Sequence, residues 1–182
     1  MPNVPYKQIS KTSFIGVFFI MLERRHEMKL YIFGNRASKT LPKVVKEQLD
    51  IACSKNVTIL VGDAYGTDGL IQYYLRQKSY SNVNVYTTDS VPRHNLGQWE
   101  VCKVQNPYNY TGYRFYALKD KQMIKDADAS FGIWSGDSRE IVKNISELLA
   151  LHKKCVIYHT SSNELVLVED NYDLNKLRAQ WT

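Results

Sequence analysis

The sequence predicts an α/β protein, a three-layer Rossmann-like domain whose open, mostly parallel sheet of about five strands is flanked by helices. Three observations carry this. Short apolar runs such as Ile59-Leu60-Val61 recur along the chain and suit strands buried on both faces. Segments of helical spacing separate them, as crossovers between parallel strands require. Two of the runs lead through glycine loops, Gly62 to Gly66 and Ser135 to Arg139, directly into a helix.

Composition fits that class. Of 182 residues, 44% are hydrophobic and 23% charged, ordinary proportions for a globular protein able to bury a core. Cys53, Cys102 and Cys155 are widely spaced, and no C-x-x-C or Cys/His cluster occurs. Neither a disulfide framework nor a zinc site is indicated, so no metal or cofactor is expected, and reduced thiols point to the cytoplasm. The net charge of +6 is compatible with nucleic acid or small anionic ligands. The basic residues are nevertheless spread along the sequence, with Lys43, Lys46 and Lys55 on one exposed helix and Lys153-Lys154 at a helix C-terminus. A solvated surface is the expectation.

Residues 1–27 fit poorly with the rest of the chain. Phe14 to Leu22 is apolar but far shorter than the ~20 residues that span a bilayer, so no membrane span is expected. The run has the length of a signal-peptide core, yet Glu23-Arg24-Arg25-His26-Glu27 comes next, where small residues belong. Codons for Glu-Arg-Arg can form a purine-rich ribosome-binding site just upstream of Met28. The expectation is a leader outside the fold, with Met28 as the true start and residues 28–182 as the domain. A membrane-associating or export leader and an ordered helix are the alternatives.

From Met28 onward, Lys29 to Phe33 reads as the first strand, ending at Gly34-Asn35-Arg36. Ser38 or Thr40 can cap the next helix, with Pro42 in its first turn and Val44, Val45, Gln48, Leu49, Ile51 and Ala52 on its apolar face. The second strand and its glycine loop give way to a helix ending near Gln77, then Val83 to Tyr86 forms a short strand. Thr87 to Tyr110 is irregular, and a long ordered loop is more often functional than decorative. Tyr113 to Lys125 is a helix with Phe115, Leu118, Met123 and Ile124 near its buried side. A strand to Trp134 comes after it, then a helix over 138–152 capped by Ser138. Cys155 to Tyr158 is a fifth strand, Leu165 to Val168 an edge strand, and Tyr172 to Trp181 a closing helix.

A strand, glycine loop and helix aim backbone N–H groups and a helix dipole at a bound anion. On the first loop Asp63 and Asp68 suit hydroxyls or an amine better than phosphate, which favours a ribose-bearing ligand. The bland alternative is a tight turn inside an α/β domain, since G-x-x-x-G is a weak signal.

Four segments in order resemble a known family: Gly34-Asn35-Arg36 after the first strand; Val61 to Asp68; Lys119 to Met123 with Asp126 to Ala129; and Trp134-Ser135-Gly136-Asp137-Ser138. Together they are similar to the SLOG superfamily, which includes the LOG phosphoribohydrolases, the DprA DNA-binding proteins and the YpsA-like branch. The YpsA-like branch is the nearest in pattern, through its Gly-x-Ser loop after a Trp-containing strand. The resemblance spans Met28 to about Tyr158. It implies a nucleotide-type ligand across the C-terminal ends of the central strands. Gly62, Asp63, Gly66 and Asp68 would flank its ribose and base side, with Gly34, Asn35, Arg36 and Thr67 as further ligand-binding positions and Asp63 and Asp68 as candidate acid/base groups. Gly136, Ser138 and the N–H groups of Arg139 and Glu140 would cradle its phosphate, with Asp137 as a further ligand-binding position, and Lys119 stands where the LOG branch has an arginine. Relatives often pair, which implies a homodimer.

Two departures bear on chemistry. Glu140-Ile141 replaces the family's Gly-Thr pair, and Asn144 stands where the LOG general-base glutamate would fall. An amide cannot take a proton from water at neutral pH. The expected function is therefore a sensor of a nucleotide or ADP-ribose-like ligand. The alternatives are an N-glycosidic hydrolase or transferase using Asp63, Asp68 or Glu100, and nucleic-acid binding in the manner of DprA.

Overall fold

The computed structural model describes residues 28–181, so the expected leader lies outside the described residues. The elements are β1 (Lys29–Gly34), α1 (Lys43–Ser54), β2 (Thr58–Gly62), α2 (Thr67–Gln77), β3 (Val83–Thr87), β4 (Glu100–Lys103), α3 (Gly112–Asp126), β5 (Ala129–Trp134), α4 (Arg139–Ala150), β6 (Cys155–His159), β7 (Glu164–Val168) and α5 (Asn171–Trp181). They build a Rossmann-like α/β architecture with one sheet between two helical layers.

Alternation along β1 shows how the layers arise. Leu30 and Ile32 pack with Val45 and Leu49 of α1 and with Ile71 and Leu75 of α2. Tyr31 and Phe33 face the other way, into a core shared with Met123 of α3, Ile145 of α4 and Leu177 of α5. Burying each such side chain contributes about 1.5–3 kcal/mol, so a strand flipped by one residue would have to repack both cores.

The sheet has seven strands, not about five, in the order β4-β3-β2-β1-β5-β6-β7. Every neighbouring pair is parallel except β6 with β7, which makes the predicted edge strand at 165–168 an antiparallel one. The unforeseen strand is β4, inside the segment read as irregular. Its sequence Glu-Val-Cys-Lys is short, charged at both ends and mostly exposed, so it gives no hydrophobic signal. Residues 88–99 carry the chain from β3 to β4 without a helix, and side chains hold that loop in place. Gln72 of α2 accepts from Leu96 N (3.0 Å) and donates to Gly62 O (2.8 Å), while Trp99 Nε1 donates to Tyr80 O (2.8 Å).

One further expectation is corrected and another is made specific. Neither Ser38 nor Thr40 caps α1, whose N-cap is Pro42 without a side-chain bond. Ser38 Oγ instead lies 3.1 Å from Thr67 Oγ1, within hydrogen-bond reach, tying it to the first residue of α2. Lys153 serves a helix other than its own, donating to the carbonyls of Ile124, Lys125 and Ala127 at the end of α3. Ser138 does cap α4, accepting from Ile141 N at 3.4 Å.

The chain winds outward from β1 to β4, and α3 then carries it back to β5 on the other side of β1. That reversal opens a crevice above the C-terminal ends of β1 and β5, where open α/β sheets bind ligands.

Candidate functional site

Tyr31 and Phe33, stacked with ring centroids 4.9 Å apart, contribute to a cleft at this crevice. Lys119 and Asp120 of α3, Glu140 and Asn144 of α4, and Asp68 of α2 also line it. The Lys119 side chain is only 6% exposed, and its Nζ lies 3.1 Å from Asp120 Oδ1 and 3.6 Å from Asp68 Oδ2. Such an ammonium is stable in a low-dielectric place only when paired. Burial pulls its pKa down, but Asp120, Asp68 and Asp63 together outweigh that and raise it, so Lys119 stays charged. Asp68 has the opposite balance: burial pushes its carboxyl above the usual range, against the pull of Lys119 and a bond from Ala64 N (3.2 Å).

The first-loop glycines explain how this cluster fits. A methyl at Gly62 would collide with the Asp68 carboxylate and the Lys119 ammonium, so the bare backbone makes room for the pair. Gly66, at φ +78°, lies against the backbone of Arg36. Thr67 completes that junction, its N–H (3.3 Å) and Oγ1 (2.8 Å) both donating to Asn35 O. Gly66 and Thr67 thus fasten one loop to another.

Asp63 points elsewhere. It is fully buried, and its carboxylate accepts from Arg93 Nη2 (2.7 Å), Nε (3.3 Å) and backbone N (3.1 Å) and from Thr87 Oγ1 (2.8 Å). Burial alone would raise its pKa, yet the Arg93 and Thr87 bonds win and lower it. Asp63 is the anchor of the 88–99 loop. Arg93 also stacks over Tyr116, 4.5 Å from the ring centroid.

The second loop stands beside the cleft and borders a separate groove with Arg139 and Lys143. Asn35 bridges to it, donating from Nδ2 to Ser135 Oγ (2.7 Å) and Asp137 Oδ1 (3.1 Å). Ser135 Oγ donates to Asp137 as well, at 2.5 Å. Gly136 is buried within the loop at φ +100°. Arg36, on the cleft rim, pairs with Glu140 at 3.3 Å, both side chains about half exposed.

Of the predicted residues, Gly34, Arg36, Asp68 and Lys119 therefore line one cleft, with Gly62 packed under its charged pair. Asp137, Ser138 and Arg139 line the neighbouring groove, and Asn35 joins the two. Sequence reasoning missed Tyr31, Asp120 and Arg93 as participants. The adjacency of Lys119 and Asp120 was a usable signal, whereas Arg93 stands 30 residues from Asp63 with no local pattern to mark it. Asn144 of α4 donates from Nδ2 to Tyr31 Oη at 3.1 Å. Among the described residues no cluster of His, Cys, Asp or Glu could hold a metal ion, and no helix is long and apolar enough to cross a membrane. Neither a model of a known protein family nor a curated protein matches the chain.

Proposed function

We propose that the protein is a SLOG-type binding module that takes a nucleotide- or ADP-ribose-like ligand at the β1/β5 crevice by its sugar hydroxyls. The observation that carries this reading is the Asp68–Lys119–Asp120 cluster at the cleft. Two carboxylates around one ammonium offer acceptors to hydroxyls and a donor to a ring or ether oxygen. With Arg36 and Glu140 included, the cleft has two cations against three carboxylates, a poor place for phosphate. Its free volume is ≈ 40 Å³, enough for the polar end of a ligand and far below the ~300 Å³ of a typical whole-ligand pocket. The remainder would lie over the exposed ring of Tyr65 and towards the Ser135–Arg139 loop, where Arg139 and Lys143 suit a phosphate. Asn144, bonded to Tyr31 in place of a general base, favours binding without turnover.

The test is a thermal-shift screen of the full chain against nucleosides, nucleotides, NAD and ADP-ribose, with each hit recovered and analysed. A stabilising ligand returned intact, with weaker binding by Asp68→Asn, is the expected result. No shift with any of them would sink the reading. One observation favours hydrolysis as a second reading: Asp68 lines the cleft with its pKa raised by burial, as suits a general acid. In that case the hit returns cleaved, and Asp68→Asn lowers rate far more than affinity.

A further inference from the structure

Lysines dispersed in the sequence meet on one groove. Lys103 ends β4, while Lys121 and Lys125 stand one turn apart on α3, and all three line an open groove of ≈ 700 Å³ beside the β4 edge. The other wall is the turn after β4. There Asn106 Oδ1 accepts from Tyr110 N and Asn106 Nδ2 donates to Tyr110 O, both at 2.9 Å, which pins the turn. The pinned turn presents Tyr108, 67% exposed, stacked on Tyr110 with centroids 5.1 Å apart and planes 28° apart. The one acid in the lining, Asp126, is already occupied by Tyr86 Oη (2.7 Å) and Gln122 Nε2 (2.9 Å).

We propose that this groove binds single-stranded nucleic acid, with a base stacked on Tyr108 and phosphates along Lys103, Lys121 and Lys125. A stacking platform facing a row of cations is the combination that holds a strand without reading its sequence. An acidic peptide would use the lysines and leave the tyrosine pair idle. A duplex keeps its bases stacked inside and offers none to Tyr108. The groove is separate from the β1/β5 cleft, so binding here does not depend on the ligand proposed there.

The experiment is fluorescence anisotropy of the full chain with a labelled twelve-nucleotide thymidine strand over a range of NaCl concentrations. Three phosphate contacts give a slope of about −2 in log K against log salt, at roughly −0.7 per contact. Lys121→Gln with Lys125→Gln should reduce that slope to about −0.7. Tyr108→Ala should weaken binding by roughly 5- to 150-fold and leave the slope unchanged. These side chains are exposed, so the variants keep the wild-type melting curve. A Tyr108→Ala variant that binds like wild type would overturn the proposal. Equal affinity for a duplex of the same length, or equal competition by polyglutamate, would overturn it too.

Discussion

Asp63 and Asp68 flank one glycine loop five residues apart, yet they sit in two different regions with opposite physics. Asp63 faces the 88–99 loop, where Arg93 and Thr87 satisfy its carboxylate and hold its pKa down despite burial. Asp68 faces the cleft, where one shared ammonium and one backbone N–H leave burial dominant and its pKa raised. A carboxylate saturated with donors is finished structure. One with an incomplete shell at a cleft can still accept from a ligand. The comparison separates scaffold from site within a single loop.

The largest expected effect comes from breaking the cleft side. Lys119→Met leaves Asp68 and Asp120 as neighbouring, largely buried carboxylates with no cation between them. The loss should be about 3–5 kcal/mol at pH 7 by urea denaturation. Adding Asp68→Asn should recover part of it, because one of the stranded charges is removed. A loss under about 1 kcal/mol would mean that Lys119 does not hold the cluster together. Next comes the scaffold side. Asp63→Ala should cost about 2–3 kcal/mol, since Arg93, 29% exposed, can turn partly to water. The same change should make the 88–99 segment a site of limited proteolysis, and an unchanged cleavage pattern would show that the loop is held by Gln72 and Trp99 alone.

How much of this was legible in the sequence depends on the same contrast. Strands buried on both faces announce themselves by apolar runs, which is why β1, β2, β3, β5, β6 and β7 could be read. β4 could not, because its stability comes from parallel pairing to β3 and from the pinned 88–99 loop. Helical spacing located α3 but not the burial of Lys119, which is 4% exposed on a helix whose Phe115 and Leu118 are only half buried. Its neighbour Asp120 hinted at pairing, but the second partner, Asp68, comes from another element, and spacing along one helix says nothing of it. The two loop aspartates looked interchangeable in sequence. Arg93 on one side and Lys119 on the other, both distant along the chain, set them apart.

The smallest effect tests the comparison most directly, through pH. Asp63 has a folded pKa below its unfolded value of about 3.8, so the unfolded chain binds more protons between the two values. Its contribution is complete above about pH 4 and is lost as pH falls through the folded pKa. Asp68 has a folded pKa above 3.8, so in its window the folded chain binds more protons. Its contribution is complete below about pH 4 and is lost as pH rises through the folded value, where ionising a desolvated carboxyl begins to cost. Subtracting variant from wild-type stability at each pH isolates the two. For Asp63→Asn the difference should grow in favour of wild type as pH rises towards about 4. For Asp68→Asn it should shift towards the variant above about pH 4, by about 1 kcal/mol or less, because Asn keeps the size and Lys119 retains Asp120. Difference curves of the same sign would mean that Lys119 satisfies Asp68 as fully as Arg93 satisfies Asp63. The cleft would then hold no carboxylate in want of a donor, and the case for a ligand hydroxyl at Asp68 would fall with it.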